Sequence, residues 1–292
     1  MSQSDSVKLN KLTTFRIGGT PSFYARPTSY QELAEAAEQC RDKQLPFRVL
    51  GGGSNILVDD GRLPFAVIHI CSPAFDWVSR ESDGRIRVGA GTRLVTLLNT
   101  CQDLGLGGLE FLAGIPGTVG GATSGNAGAW GANVGDFVTR AWTWDEEKGQ
   151  KEFSRRELTF SYRKARLPGD IITEVEFELT PRSSELIGKQ VNNNIQKKRD
   201  RQPTGAPNAG CVFRNPEENS AGKLLDLCGL KGSQVGGAEV SPDHANFICN
   251  TAGASAEEVL ELIDTMRQKV RQNFGVELQL ELKHWGGENR VA

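Results

Sequence analysis

Apolar residues recur at helical spacing in several segments of the chain. In the first of these, Leu33, Ala36 and Cys40 share one helical face. Ser29 and Glu32 precede that face with the pattern of a capping box, which favours a helix start at this point. With Gly105 and Gly275 as predicted C-terminal stops, helices are also predicted at 92–105, 221–229 and 255–275. The polar segment 186–201 is predicted to be a charged helix rather than coil.

Shorter apolar runs with strand character lie between these helices. They cover residues 47–50, 65–70, 85–91, 137–145, 151–158, 171–179, 211–213, 245–250 and 276–285. Helices and strands alternate up to about residue 105, and strands dominate from 137 to 180. This pattern predicts a fold of mixed helices and strands. The polar segment 181–210 is the predicted domain boundary.

Glycine is concentrated in the segment 101–135, which contains eleven glycines. A backbone without Cβ atoms can approach a ligand closely and turn its N–H groups toward it, so the segment suits a phosphate-rich cofactor. A flexible linker is the alternative interpretation. The interleaved apolar residues Phe111, Ile115 and Trp130 argue against a linker, because linkers are polar.

A second glycine cluster, Gly51–Gly53, follows directly after the predicted strand 47–50, and Ser54 and Asn55 add side-chain donors. The cluster matches neither the usual dinucleotide motif nor the nucleoside-triphosphate motif. A tight turn without a ligand is the alternative. Two separated glycine segments together favour a phosphate-binding function.

Composition limits the possible classes of function. The chain has 292 residues, of which 38% are hydrophobic and 24% charged, and its formal net charge is −2. No excess of basic residues is present to neutralise a nucleic-acid backbone, so we expect no nucleic-acid partner. The first residues lack a signal-peptide core, and no apolar run reaches the roughly 20 residues needed to span a bilayer. We therefore expect a cytoplasmic protein without membrane insertion.

The cysteines and histidines predict neither a metal site nor disulfides. The six cysteines are scattered and include no C-x-x-C pair, and the three histidines are dispersed. Most of the cysteines are expected to be small core residues.

Several motifs together resemble one family. They are TTFRIGG (13–19), LGGGSNILV (50–58), GAG (89–91), GIPGTVGGA (114–122), GNAGAWG (125–131), SYR (161–163), CVFRNP (211–216), GLKG (229–232), GGAEVSPDHANFICN (236–250) and VELQLELKHWG (276–286). In this order they resemble the UDP-N-acetylenolpyruvoylglucosamine reductase family of bacterial peptidoglycan synthesis, in its shorter subclass. The resemblance covers nearly the whole chain.

The resemblance implies an α+β fold: two α+β subdomains that together bind FAD, of the vanillyl-alcohol-oxidase (PCMH) type, and a C-terminal α+β substrate domain. The predicted segments are 1–72 and 73–185 for the two FAD-binding subdomains and 186–292 for the substrate domain. No histidine lies in 50–58 or 105–135 to tether a flavin, so FAD is expected to bind without a covalent link. The implied cofactor-binding residues are Gly51, Gly52, Gly53, Ser54, Asn55, Ile56, Leu57, Gly114, Ile115, Pro116, Gly117, Gly120, Gly121, Asn126, Gly128 and Ala129.

The reaction implied by the resemblance is the NADPH-dependent reduction of UDP-N-acetylglucosamine enolpyruvate to UDP-N-acetylmuramate. Hydride addition places charge on the substrate carboxylate, which needs electrostatic stabilisation. Arg163 in SYR matches the family residue for that task, and Glu281 matches a carboxylic acid that donates a second hydrogen bond. Without the resemblance, both residues would be read as surface residues.

Cys211 is the residue at which the chain departs from the family pattern, which commonly has Ser as the proton donor. A thiol is a stronger acid than an alcohol and can donate a proton from nearly the same geometry. Taken without the resemblance, Cys211 would be a buried structural thiol. Ala165, where a hydroxyl residue is common in the family, is a second departure.

The resemblance also assigns substrate contacts. They are Arg199, Arg201, Arg214, Asn215, Lys231 and His244. Two other functions stay open at this point: a flavin-dependent oxidase of small alcohols or hydroxy acids, and a non-catalytic nucleotide-binding module. No protein partner is indicated by the sequence.

Overall fold

Residues 2–3, 7–81 and 84–286 are described by a computed structural model. The chain divides into two units, each assembled from separated segments. The first unit contains Phe23–Gly52 and Phe65–Lys198, and the second contains residues 7–22, Gly53–Pro64 and residues 199–286. The three functional segments 1–72, 73–185 and 186–292 remain a prediction.

Six α-helices lie in the described part of the chain. They are α1 (Tyr30–Asp42), α2 (Leu94–Leu104), α3 (Val119–Ser124), α4 (Ser184–Arg199), α5 (Ala221–Leu227) and α6 (Ala256–Phe274). All but α3 were predicted from the sequence, α4 as a charged helix, and those predictions are confirmed. Helices α2 and α6 end at Gly105 and Gly275, both at positive φ of 65° and 67°, as the C-terminal stop signals predicted.

The predicted caps are confirmed for α6 and in part for α1. Ser255 and Glu258 form both hydrogen bonds of a capping box at the start of α6. At α1, Ser29 accepts from the Glu32 amide as expected. The Glu32 carboxylate instead accepts from the backbone N–H of Thr28 at 2.7 Å, so the reciprocal half of that capping box is replaced by a bond one residue earlier.

The first unit contains an antiparallel five-stranded sheet. Its strands, in spatial order, are Gly149–Ser154, Val138–Asp145, Ile171–Glu178, Arg85–Gly89 and Val78–Arg80. Helix α2 packs on it, with Leu94, Leu97 and Leu98 buried in a shared core. The predicted strands 85–91, 137–145 and 171–179 are confirmed by this sheet.

A four-stranded sheet carries the other core of the first unit. It runs in the order Ser2–Gln3, Thr20–Arg26, Arg62–His69 and Phe47–Leu50, and its last two strands are parallel. Helix α1 contributes Leu33, Ala36, Ala37 and Cys40 to the core beneath it. Three two-stranded pairs complete the first unit: Leu106–Gly107 with Thr180–Pro181, Gly128–Ala129 with Ala132–Asn133, and Thr159–Ser161 with Lys164–Arg166.

The second unit is built on an antiparallel four-stranded sheet. Its strands, in spatial order, are Asn208–Cys211, Phe247–Asn250, Ala238–Val240 and Gln234–Val235. Helices α5 and α6 supply the apolar side chains that complete its core. A separate parallel pair joins Ile56–Val58 to Lys283–Trp285.

The predicted strand 276–285 is wrong over most of its length, because only Lys283–Trp285 forms a regular strand. The segment changes partner along its course. Gln279 accepts from the Arg214 amide at 2.9 Å, whereas Lys283 donates to Asn55 at 3.1 Å. A strand that moves from one neighbour to another forms isolated bridges rather than a continuous ladder.

Three other predicted boundaries shift. The strand predicted at 211–213 lies at Asn208–Cys211, and the strand predicted at 151–158 ends at Ser154, where a 3₁₀ turn follows. The N-cap of α2 is Arg93 rather than Thr92. The Thr92 hydroxyl donates instead to the Trp77 carbonyl at 3.1 Å, which removes it from the capping role.

Within the described residues, no helix has the length and apolar character of a membrane span. No group of three or more metal-ligating side chains is present in the same part of the chain. The six cysteines all fall within the described ranges, and none of them is in a disulfide.

Candidate functional site

In the first unit, the two glycine segments predicted to bind a cofactor touch each other. A Cβ atom on Gly52 would lie 2.7 Å from the Gly117 Cα, and one on Gly51 would lie 2.5 Å from the Thr118 Oγ1. Both distances are too short for any residue but glycine. The glycine turn that follows the strand Phe47–Leu50 therefore packs directly against the backbone at Gly117 and Thr118.

The second glycine segment is fixed by backbone hydrogen bonds to the GAG motif. Gly120 donates to Ala90 at 2.8 Å, and Val119 donates to Thr92 at 2.9 Å. Thr118 caps α3 by accepting from the Gly121 amide at 3.4 Å. Three motifs that the sequence analysis treated separately, at 51–52, 89–91 and 114–122, thus form one backbone-rich surface.

The glycine turn also offers unsatisfied donors. The backbone N–H groups of Gly52, Gly53 and Asn55 donate to no acceptor in the described part of the chain. Consecutive free amides in a turn form a concave site for an anion. The residues present therefore fit the pyrophosphate of FAD.

Within the second unit, contacts with Leu12 and Thr14 fix the backbone conformation of Gly53. Its φ is 60°, and a Cβ atom there would lie 2.2 Å from the Leu12 carbonyl oxygen. The Thr14 amide donates to the Gly53 carbonyl at 3.0 Å, and the Thr14 hydroxyl donates to the Asn208 carbonyl at 2.8 Å. The TTFRIGG motif thus supports the turn, a role that the sequence alone did not reveal.

Arg163 lies at the tip of a hairpin in the first unit. Ser161 pairs with Lys164, so Tyr162 and Arg163 form a two-residue turn, and Arg163 has a φ of 55°. Positive φ is uncommon for a residue with a side chain and often marks a functional position. The Arg163 Nη1 donates to the Gly128 carbonyl at 3.0 Å.

The same hairpin is joined to the glycine segment a second time through Asn126. Its side-chain amide donates to the Ser161 carbonyl at 2.9 Å, and its Oδ1 accepts from the Gly135 amide at 2.9 Å. The structure therefore places the predicted catalytic arginine beside the predicted cofactor residues Asn126 and Gly128.

In the second unit, the segments that carry Cys211 and Glu281 are direct neighbours. The Glu281 amide donates to the Val212 carbonyl at 2.8 Å, and Phe213 forms a bridge with Leu280. The side chain of Asn246 stabilises the segment that carries Cys211. It accepts from the Phe213 amide at 2.9 Å and donates to the Phe213 carbonyl at 2.8 Å. Two of the predicted catalytic residues are thus held on adjacent segments.

Asn55 lies on the other side of the Glu281 segment. Its side-chain amide donates to the Glu281 carbonyl at 3.3 Å, and its own carbonyl accepts from the Lys283 amide at 3.1 Å. The side chain of Leu57 belongs to the core of the second unit, and that of Ile56 is also buried. Of this predicted cofactor segment, Ile56 and Leu57 can therefore offer a ligand only backbone atoms.

Lys283 is a cation that the sequence analysis did not assign. The pKa of Lys283 lies below its usual value because neighbouring protein atoms desolvate the ammonium group and because the Arg214 charge is close. In the sequence, a lone lysine in an alternating strand is typical of a solvent-facing position. The motif VELQLELKHWG gave no sign of its function.

Three predicted substrate residues cluster around α5. The Asn215 Oδ1 accepts from the amide of Ala221, the first residue of the helix, at 3.0 Å. Lys231 forms an ion pair with Asp226 at 3.1 Å. Burial is the main cause that lowers the pKa of His244, and the nearby Lys231 charge lowers it further.

Two further predicted substrate residues, Arg199 and Arg201, are exposed. Neither forms an ion pair or a side-chain hydrogen bond with any residue that the structure describes. The structure does not join them to the group around α5.

Comparison with known protein families gives two matches. The model of the UDP-N-acetylenolpyruvoylglucosamine reductase C-terminal domain matches residues 202–285, and that of an FAD binding domain matches residues 21–150. The predicted FAD-binding fold with a further C-terminal domain of this family is confirmed.

Whole-chain relatives agree with these matches. The UDP-N-acetylenolpyruvoylglucosamine reductase of Moorella thermoacetica is 42% identical over 281 residues, which cover 95% of this chain and 91% of the relative. That of Carboxydothermus hydrogenoformans is 40% identical, with 97% and 93% covered. The crystal structure of the Thermus caldophilus enzyme superposes with a TM-score of 0.83 at 36% identity and covers 97% of this chain and 98% of its own. The chain therefore belongs to the UDP-N-acetylenolpyruvoylglucosamine reductase family.

Proposed function

We propose that this protein reduces UDP-N-acetylglucosamine enolpyruvate to UDP-N-acetylmuramate with NADPH, as a cytoplasmic enzyme of peptidoglycan synthesis. The observation that carries the proposal is the pairing of the Cys211 and Glu281 segments by the 2.8 Å bond from Glu281 to Val212. Such a pairing supports a proton donor and a carboxylate-binding acid that act on the same small group. Family membership supports the choice of substrate.

FAD, when bound, accepts hydride from NADPH and delivers it to the substrate. The amides of Gly52, Gly53 and Asn55 are the proposed donors to its pyrophosphate, because they have no other acceptor among the described residues. The close packing of Gly51 and Gly52 on Gly117 and Thr118 keeps side chains away from that surface. The binding is non-covalent in this proposal.

Arg163 is the proposed electrophile for the substrate carboxylate. Hydride addition to the terminal carbon of the enolpyruvyl group moves electron density onto this carboxylate, and a guanidinium can bind both of its oxygens. The bond from Nη1 to the Gly128 carbonyl holds the guanidinium beside the predicted cofactor segment.

Glu281 and Cys211 complete the proposed chemistry. Glu281, kept protonated, donates a hydrogen bond to the same carboxylate as charge develops there. Cys211 then transfers its thiol proton to the carbon beside the carboxylate, which completes the net addition of hydride and proton. Arg199, Arg201, Arg214, Asn215, Lys231 and His244 are the proposed contacts to the sugar nucleotide.

The experiment that tests this function follows the flavin colour of the purified protein. We expect a yellow protein that NADPH bleaches, that air reoxidises slowly and that the enolpyruvyl sugar nucleotide reoxidises rapidly. Rapid reoxidation by air together with indifference to the sugar nucleotide would indicate a flavin oxidase instead. A colourless protein with no flavin after denaturation would indicate a non-catalytic module.

A further inference from the structure

Asp59 and His284 form a side-chain pair beside the parallel strand pair of the second unit. The His284 Nε2 donates to the Asp59 Oδ1 at 2.6 Å, since a carboxylate accepts and an imidazole N–H donates. Both side chains are partly buried, with 10% of His284 and 29% of Asp59 exposed. A Cβ atom on Gly286 would lie 2.4 Å from the Asp59 Oδ2, so the Gly286 backbone packs closely on the pair.

The two strands that this pair joins are short. Ile56–Val58 and Lys283–Trp285 pair over three residues and with no further strand among the described residues. A two-stranded pair of this size is marginally stable by itself, so contacts at its ends determine its register. At one end, the Asp59 amide donates to the Trp285 carbonyl at 3.0 Å, next to the side-chain bond with His284.

The other end of the strand pair has a weaker side-chain contact. The Asn55 side-chain amide donates to the Glu281 carbonyl at 3.3 Å, which is longer than the usual N–H···O distance of about 2.9–3.0 Å. The bond between Asp59 and His284 is shorter, and a bond to a carboxylate is about twice as strong as one between neutral groups. Of the two side-chain contacts, the Asp59–His284 bond therefore contributes more to holding the segments together.

The neighbours of the pair explain why a polar contact is useful here. Leu57 is fully buried and Trp285 is 7% exposed, so apolar packing stabilises the strand pair. Apolar packing alone tolerates a shift of one strand along the other. A polar pair specifies the register, because its hydrogen bond is made in one register and lost in the others.

The register of this strand pair determines the position of Glu281, which lies two residues before the strand Lys283–Trp285. A slip of one residue moves a strand by about 3.3 Å. A displacement of a catalytic group by about 1 Å can lower a rate on the order of 10²-fold. Even a partial loss of register would therefore move Glu281 out of its proposed place.

We propose that Asp59 and His284 are positioning residues for Glu281. Their bond fixes the register of the segment 281–285 and thereby the place of the Glu281 carboxyl group. The inference rests on the proposed function, in which Glu281 donates a hydrogen bond to the substrate carboxylate. In this scheme neither Asp59 nor His284 contacts the substrate, and both act through the backbone.

The test compares His284→Leu with wild-type holoenzyme, with every rate expressed per bound flavin. We expect reduction by NADPH to keep its wild-type rate and reoxidation by saturating enolpyruvyl nucleotide to slow about 10-fold. The KM for the nucleotide should stay within about 2-fold of wild type, because Glu281 is assigned to the transition state. His284→Gln, which retains an N–H donor toward Asp59, should recover most of the rate.

A Glu281→Gln background separates positioning from a general structural effect. If the pair acts through Glu281, His284→Leu should slow reoxidation no further in this background, because two changes to one interaction are not additive. Hydrogen exchange of the holoenzyme gives a readout besides activity. The amides of Asp59 and Lys283 should exchange faster in His284→Leu, because they bond across the strand pair.

Arg271→Met is the matched control, because Arg271 forms an exposed ion pair with Glu277 in the same unit, away from the strand pair. Asp59→Ala removes the same bond as His284→Leu and replaces it if that variant does not retain flavin. A wild-type rate per flavin in these variants would overturn the positioning role. An undiminished loss in the Glu281→Gln background, or an equal loss in Arg271→Met, would overturn it as well.

The proposed function fails by different outcomes. Reoxidation of Glu281→Gln at the wild-type rate would overturn the role of Glu281 itself. Failure of wild type to reduce the enolpyruvyl nucleotide would overturn the proposed reaction. A slow Glu281→Gln together with a wild-type rate in His284→Leu would overturn the positioning role alone.

Discussion

The hydroxyl of Tyr24 lies 2.8 Å from Nδ1 of His69, in the first unit beside the start of the glycine turn. His69 is the parallel partner of Leu50, the last residue of the strand that leads into Gly51. Burial lowers the pKa of His69 to about 4, so the imidazole is neutral at physiological pH. A neutral imidazole can keep its hydrogen bond with Tyr24 beside the end of the strand Phe47–Leu50 without placing a charge there.

The lowered pKa of His69 predicts that the folded protein becomes less stable in acid. The unfolded histidine has a pKa of about 6.5, so the unfolded state takes up the proton first as the pH falls. The free energy of unfolding should decrease between pH 6.5 and about 4 and then level off, with a maximum contribution of about 3 kcal/mol. Urea denaturation of wild type and His69→Asn at pH 7.5 and pH 5 measures the difference.

In His69→Asn, this part of the pH dependence should disappear, whereas Tyr24→Phe should retain it because the imidazole is still present. If His69→Asn loses as much stability as wild type on acidification, another group is responsible.

Replacing Gly52 with alanine should weaken FAD binding, whereas the same replacement at Gly205 should not. In Gly52→Ala the new Cβ atom would meet the Gly117 backbone at 2.7 Å, and backbone cannot move aside easily. We expect the purified variant to carry much less FAD and to bind added FAD at least about 10-fold more weakly. Gly205→Ala, which has open space around its Cβ position, should bind FAD like wild type. Normal flavin content in Gly52→Ala would contradict the proposed role of the turn.

The two half-reactions should separate in variants of Arg163 and Glu281. Arg163→Ala and Glu281→Gln should still allow NADPH to reduce the flavin, because both residues are assigned to the second step. Reoxidation by the enolpyruvyl nucleotide should slow on the order of 10² to 10³, as for the loss of one transition-state donor. Stopped-flow absorbance resolves the two rates. Equal slowing of both would point instead to damaged cofactor binding.

Cys211 should tolerate serine and reject alanine. Cys211→Ser retains a proton donor of nearly the same geometry, so turnover should persist. Cys211→Ala should accept electrons from NADPH normally and then stall after hydride transfer, with inefficient uptake of solvent deuterium into product. Thiol-alkylating reagents should inactivate wild type and not Cys211→Ser. Wild-type turnover in Cys211→Ala would show that the thiol is a packing residue.

The sequence predicted local structure best where a side chain determines the backbone. Gly105 and Gly275 mark real helix ends because the αL conformation favours glycine, and Ser255 with Glu258 satisfies the first amides of α6. The segment 276–285 was predicted as one strand because its alternation is regular. Its change of partner from Arg214 to Asn55 depends on tertiary contacts that no local pattern contains.

For the candidate site, too, the sequence could not predict the features that depend on tertiary contacts. Glycine-rich segments are visible in the sequence, and their contact at Gly52 and Gly117 is not. The roles of Thr14 and Asn246 arise from bonds to the carbonyls of Asn208 and Phe213, which lie far away in sequence.

The core of the second unit has a consequence for the order of folding during synthesis. Phe15, Ile17 and Leu57 share this core with side chains of α6, about 200 residues later in the chain. The early segments must therefore wait until α6 has left the ribosome before this core can form, whereas the first unit is already complete at Lys198. A fragment that begins at Arg199 would lack Phe15, Ile17 and Leu57 and expose the apolar surface that they cover. The segments that carry the proposed catalytic residues Cys211 and Glu281 can thus become ordered only after α6 and Glu281 itself have been synthesised.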